Sequence, residues 1–194
     1  YNNNVAIWHG GAIVNYGTID SITGNFNNNS AKLDGQPNYF SYGGAIYNSG
    51  TINSLDGNFN NNSAFVCGGA IYNSGTINSP IGDFNGNDFR GHALHGWAEE
   101  VLGGGAIYNK GTIKLTGNVN FLTSTDDIFN SGTISTFGGT LGSPMTLQMQ
   151  SVYGGGNFYL DDYTNATLAS GRVIEQNEFN ISEHSTLSTL PDGS

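Results

Sequence analysis

Three short phrases recur in a fixed order along this chain. Such a repeat constrains a fold more than any other sequence signal, because each copy must pack against the next. Gly-Gly-Ala-Ile begins at Gly10, Gly43, Gly68 and Gly104. Gly-Thr-Ile begins at Gly17, Gly50, Gly75, Gly111 and Gly132. An Asn-rich phrase opens on an aromatic at Phe26, Phe59 and Phe84, and Tyr1–Asn4 is a variant of it. The cleanest unit, Gly43–Cys67, has 25 residues. The units from Gly10 and Gly68 are longer, and the excess falls in one place, between the Asn-rich phrase and the next Gly-Gly. A solenoid tolerates insertions at a turn that lies outside its wall.

A unit of this length excludes most repeat folds. Helical repeats need about 33 residues, and leucine-rich repeats need a Leu skeleton that is missing here. No segment carries the helical apolar period. The unit instead shows short runs of Ile, Thr, Tyr and Phe punctuated by Gly and Asn, which signal strands and turns. The expected fold is all-β: a right-handed, single-stranded parallel β-helix with three short strands per coil and about seven or eight coils. In the clean unit the strands are expected at 45–47, 51–53 and 58–60. Residues 1–194 are expected to form one domain, with regular repeats over 1–137 and degenerate coils that continue the helix over 138–194.

The repeat also assigns side chains to columns. Ile13, Ile46, Ile71, Ile107 and Ile128 form one inward column; Ile19, Ile52, Ile77, Ile113 and Ile134 form a second. Phe26, Phe59, Phe84 and Val119 form a third. Asn15, Asn48, Asn73, Asn109 and Asn130 stack at the turn after the first strand, where Asn tolerates left-handed backbone and can bond along the axis. Alternation turns Val14, Tyr47, Tyr72, Tyr108 and Phe129 outward as an aromatic strip. The strip is expected to stabilise the sheet through contacts between coils, with a sugar- or protein-binding platform as the alternative.

Composition narrows the function. Net charge is −10 with five Lys and Arg, so the basic stripe that a phosphate backbone requires is lacking, and nucleic acid is rejected as a partner. No apolar run approaches about 18 residues, so this segment is not expected to insert into a membrane. The single cysteine, Cys67, rules out an internal disulfide framework and a Cys-based zinc site. The chain opens at Tyr1 inside a repeat and reads as a fragment or processed product of a longer precursor.

Paired Gly-Gly-Ala-Ile and Phe-x-x-Asn phrases, here Gly43–Ile46, Gly68–Ile71 and Gly104–Ile107 preceded by Phe26/Asn29, Phe59/Asn62 and Phe84/Asn87, resemble the repeats of the chlamydial polymorphic outer-membrane proteins and related autotransporter passengers. The resemblance covers roughly residues 1–134. It implies a β-helical passenger carried across the outer membrane by a C-terminal barrel, and a role in adhesion at the bacterial cell surface. On that reading the partner is a host-cell or matrix protein or glycan. A structural protomer that self-associates through open coil ends is the alternative, and a polysaccharide lyase or hydrolase comes third.

Candidate binding residues lie in the two insertions. One, 88–103, holds His92, His95, Trp97, Glu99 and Glu100; the other, 32–42, holds Pro37, Tyr39 and Phe40. His-x-x-His with Glu99 resembles a metal set, but a surface loop anchored by Leu94 and Trp97 is the preferred reading. No cofactor is expected, and the chain is not expected to be an enzyme. The doublets Asp126-Asp127 and Asp161-Asp162 point to opposite faces of a strand and make poor catalytic pairs.

Overall fold

A computed structural model describes residues 1–32, 40–78, 82–90, 103–123 and 125–190. Among these there is no helix, and all the pairings between named strands are parallel. Three long sheets run along the molecule. One has six strands, from Ile13–Asn15 through Ile46–Asn48, Ile71–Asn73, Ile107–Asn109 and Ile128–Asn130 to Val152–Tyr153. Two have seven strands and end on Glu178–Ile181 and Thr186–Thr189. Each crossover therefore returns the chain one layer along, which is the architecture of a parallel solenoid.

The clean unit is more finely divided than its sequence indicates. Ile46–Asn48, Thr51–Ile52 and Phe59–Asn60 match the three expected strands to within a residue or two at each end, but Leu55–Asp56 and Ser63–Ala64 pair as well. Three strands per coil is thus corrected to five for this unit. Two-residue strands are too short to show alternation, and Ser-Ala carries no β-branched or aromatic signal. From Gly104 onward the count falls to three. Ile107–Asn109, Thr112–Leu115 and Val119–Phe121 are followed by sets whose longest members have five residues, Met145–Met149 and Thr164–Leu168.

The two Ile columns form as expected, each Ile in register with its counterpart in the next coil. Ile46, Ile52, Ile71, Ile77, Ile107 and Ile113 are fully buried. The aromatic column needs one correction. Phe26, Phe59 and Phe84 stack face to face at 4.7 and 4.8 Å, but Phe84 continues onto Phe121 at 4.8 Å. Val119 opposes Leu147 instead. A slip of two residues keeps the same face of the strand, so both side chains point inward and only the stacking partner changes. Each large buried side chain contributes about 1.5–3 kcal/mol relative to exposure.

The Asn column is a continuous amide chain. Asn15, Asn48, Asn73 and Asn109 each donate from Nδ2 to Oδ1 of the next member at 2.8 Å, ending at Asn130. Asn48, Asn73, Asn109 and Asn130 have no exposed surface. They are not left-handed; positive φ falls on Asn3, Asn28 and Asn61 in the other phrase. Burial requires these amides to be satisfied, and each orphaned group would cost about 1–3 kcal/mol. Their Nδ2 groups also reach backbone oxygens, as Asn48 does to Gly50 and to Thr76.

Glycine permits the close approach of coils. Gly43 sits at φ +66°, and a Cβ on Gly44 would lie 2.0 Å from the carbonyl oxygen of Gly69 in the next coil. A side chain on Gly44 would force the coils apart, and one on Gly43 would be strained at that φ and would strike the Ile46 carbonyl of its own coil.

Candidate functional site

Outside the main core lies a second apolar cluster, and it accounts for the aromatic strip. Tyr72, Tyr108 and Phe129 point away from the solenoid interior, as alternation requires, yet they are only 7%, 4% and 6% exposed. Val66, Cys67, Tyr42 and Phe65 pack over them. The covering residues belong to a further stack, with bridges from His9 to Tyr42 to Cys67 to Gly103. Tyr42 stacks on Tyr72 at 4.8 Å, Tyr47 on Tyr72 at 5.1 Å, Tyr72 on Tyr108 at 5.4 Å and Tyr108 on Phe129 at 4.6 Å. The Lys110 ammonium sits 5.6 Å from the Tyr108 ring centre. Tyr47, Tyr72, Tyr108 and Phe129 therefore do not offer an open platform. Sequence alternation gives the direction of a side chain but not what lies over it.

Cover thins toward the first coil. Val14 and Tyr16 are exposed there, and His9 stacks on Tyr42 at 5.1 Å and on Tyr47 at 4.6 Å. Burial of its ring pushes the His9 imidazole below its usual pKa, although a hydrogen bond with the Trp8 backbone acts in the opposite direction. At the far end Tyr153 turns its ring edge-on to Phe129, and its hydroxyl accepts from the Gly104 N–H at 2.9 Å. A Cβ on Gly103 would meet that hydroxyl at 2.5 Å, so glycine makes room for it.

The two insertions depart from one corner of the solenoid. Ala31, Ala64 and Phe89 are register partners on one side of it, and Tyr42, Cys67 and Gly103 are bridge partners on the other. In the clean unit Phe65 and Val66 close this gap directly. In the units before and after it, the gap holds the insertions. Their roots are pinned. Buried Ser41 donates from Oγ to the Ala31 carbonyl at 3.0 Å, and its own carbonyl accepts from Val66 N–H at 3.1 Å. Arg90 N–H donates to the Ala64 carbonyl at 2.8 Å. Phe40 is exposed and parallel to Tyr42 at 6.3 Å, and Ile7 and Trp8 are exposed at the same register in the first coil. His92, His95, Trp97, Glu99 and Tyr39 lie outside the described residues.

A second Asn ladder, signalled only by the last residue of Phe-x-x-Asn, borders this corner. Asn4, Asn29, Asn62 and Asn87 each donate from backbone N and from Nδ2 to the next Oδ1. The last acceptor is the carboxylate of Asp126, which is fully buried. Its oxygens also accept from Gly86 N, Thr123 N and Thr123 Oγ1 at 3.0, 3.0 and 2.7 Å. Asp127 diverges from it, is held above the usual carboxylate range mainly by burial, and accepts from Ser151 N at 2.9 Å. Asp161 is likewise raised by burial and then by its neighbour Asp162. Among the described residues, no three of His, Cys, Asp and Glu are grouped to hold a metal.

Comparison with known proteins bears on these ladders. The family described as the Chlamydia polymorphic membrane protein repeat matches residues 23–49 and 56–74. The matched stretches contain Phe26, Asn29, Gly43–Ile46 and Asn48, then Phe59, Asn62, Gly68–Ile71 and Asn73, so the phrases that carry the resemblance are those that build the buried columns. No curated protein and no solved structure matches the chain.

Proposed function

We propose that this chain is part of the surface-exposed passenger of a bacterial protein of the polymorphic-membrane-protein type, and that it acts as an adhesin-type scaffold. Its repeats resemble that family's, which points to an outer-membrane-attached, extracellular location. The observation that carries the reading is the common root of the two insertions, pinned by backbone and Ser41 hydrogen bonds on a solenoid of repeated columns. Variable loops on a rigid frame suit recognition. The partner would be a host-cell or matrix protein or glycan. We take the winding to be right-handed, as parallel crossovers are in about 98% of cases, and the coil number to be about seven or eight.

The reading is of a binder, not an enzyme. It is supported by the use of Asp126 as a ladder terminus and by the divergence of Asp127. The test is deletion of 33–39, of 91–102, or of both, with binding to epithelial cells and matrix glycoproteins as the readout. Binding should fall at least tenfold for one deletion while the β-sheet circular dichroism is kept. Undiminished binding by the double deletion sinks the loop assignment.

A further inference from the structure

Asparagine has two separate uses in this solenoid. Among the described residues the buried asparagines are eight, and all of them belong to the two ladders. The triplet Asn-x-Ser or Asn-x-Thr, with x other than Pro, begins at Asn28, Asn61, Asn165 and Asn180. It is the acceptor sequence for N-linked glycosylation. None of the eight buried asparagines begins one. Two places after each of them stands Gly, Ala or Phe, as in Asn48-Ser-Gly50, Asn62-Ser-Ala64 and Asn87-Asp-Phe89.

All four triplet asparagines are exposed. Asn28 and Asn61 occupy the corner between the Phe-Asn and Ser-Ala strands at φ +55° and +53°, which turns their side chains out of the wall. Asn61 has coils on both sides, so its exposure reflects direction. Among the described residues neither side-chain amide has a hydrogen-bond partner. Asn165 points outward between buried Thr164 and Ala166, and its Oδ1 accepts from Thr186 Oγ1 at 3.0 Å. Asn180 continues the outward row of Ser135 and Tyr159, and its Nδ2 donates to Glu178 Oε1 at 2.7 Å. An N-linked sugar replaces one amide hydrogen and leaves the carbonyl and one N–H, so both of these bonds survive it.

We propose that Asn28, Asn61, Asn165 and Asn180 are acceptors of an N-linked hexose, added before the chain folds by a glycosyltransferase that uses a nucleoside diphosphate hexose. The amide nitrogen bonds to the anomeric carbon and gives up one proton to a base of the transferase. The bond from that carbon to the phosphate oxygen breaks, and the nucleoside diphosphate leaves with the electron pair. Folding closes the triplets to such an enzyme: Ser30 and Ser63 are buried, and Asn165 and Asn180 lie within paired strands. An enzyme acting on the unfolded chain distinguishes a future ladder amide from a surface one only by its triplet. A sugar on Asn62 would have to enter a corner with no exposed surface, carrying hydroxyls that find no partners there. Restricting the triplets to outward positions brings every modified side chain into water. The sugars stand on one corner and on the two seven-stranded sheets, and no triplet falls within 33–39 or 91–102. The inference draws on the extracellular location proposed above and not on the adhesin role.

The test is peptide mass mapping of the protein recovered from the surface of its own bacterium. Hexose is expected on the four triplet asparagines and on none of the ladder ones; four bare triplets, or sugar on a ladder Asn, overturn the proposal. Thr167→Ala, an outward change, should remove the sugar from Asn165 alone, and a sugar that persists there means that the triplet is not the signal. Ala64→Ser creates a triplet at Asn62. Made without the transferase, this variant should keep its β-sheet circular dichroism; made with it, the copies sugared on Asn62 should lose that signal and be recovered at least tenfold less often as folded protein. Folded copies bearing the sugar at Asn62 would show that burial does not dictate where the triplets lie. Cell binding by the sugared and bare chains is measured separately, so the adhesin reading and this one can fail independently.

Discussion

The solenoid before Gly104 and the solenoid after it fill the same interior in different ways. In the first region strands are two or three residues long, and each contributes about one inward side chain to a column of like residues. Its corners are held by Asn amides. In the second region strands reach five residues, and Met145, Leu147 and Met149 or Thr164, Ala166 and Leu168 alternate inward along one strand. Identity between coils is lost there, but in-strand alternation takes over. One region specifies its register through repetition across coils, the other through period two within a strand. The four-stranded and two-stranded sheets end within the first region, and the second Asn ladder ends soon after it at Asp126, close to where corners give way to flat walls.

If that contrast is right, the first region should be intolerant of single changes. Asn73→Leu takes one partner from the Asn48 amide and one from the Asn109 oxygen, deprives the Gly75 and Thr112 carbonyls of the Asn73 amide in a dry interior, and should cost about 3 kcal/mol or more. Leu147→Met, a swap of similar volume in a mixed column, should cost less than about 1.5 kcal/mol. Urea melts compare the two, and equal losses would break the distinction. Asp126→Ala comes next. It leaves Asn87 N and Thr123 N without their acceptor, while Gly86 N, Asn87 Nδ2 and Thr123 Oγ1 keep bonds to Thr123 Oγ1, the Phe59 carbonyl and Thr125 Oγ1, for an expected loss of about 2 kcal/mol. Exchange at the Gly86 and Asn87 amides should quicken well before that at Leu147; uniform quickening would mean that the boundary is not a local one.

The smallest effect concerns His9 and sharpens the first region alone. Burial lowers its pKa in the folded chain, so the unfolded chain binds the proton more readily. The stabilisation is complete above the ordinary value of 6.5 and is lost as pH falls from there through the folded pKa. His9→Phe keeps the ring stack and should flatten this part of the stability–pH curve. A curve unchanged by the substitution would place the acid sensitivity elsewhere.

The repeat made much of the first region legible. Columns of Ile46, Ile71 and Ile107 and of Asn48, Asn73 and Asn109 follow from counting alone. Phe121 was not legible, because the phrase at Val119 is degenerate and a two-residue offset leaves the inward face unchanged. Asp126 was not legible either: a ladder's terminator lies outside the repeat and is brought in by folding. The aromatic strip was legible in direction but not in burial, since Val66 and Tyr42 cover it from a part of the repeat where the phrases diverge. Of the candidate binding residues, Phe40 alone falls within the described structure, and it is exposed at the root of its insertion.

One consequence follows from the buried amides all facing one way. Each Asn side chain is a small dipole, and two dry ladders align theirs along the axis, with positive ends toward the C-terminal coils. The water-facing pairs from Asn27 to Asn2 and from Asn60 to Asn27 run the opposite way. Solvent screens those; the interior ladders are not screened. The rod therefore carries an internal electric field of fixed sense, and Asp126 places a carboxylate at the positive pole of one ladder, as an acidic residue does at the start of an α-helix.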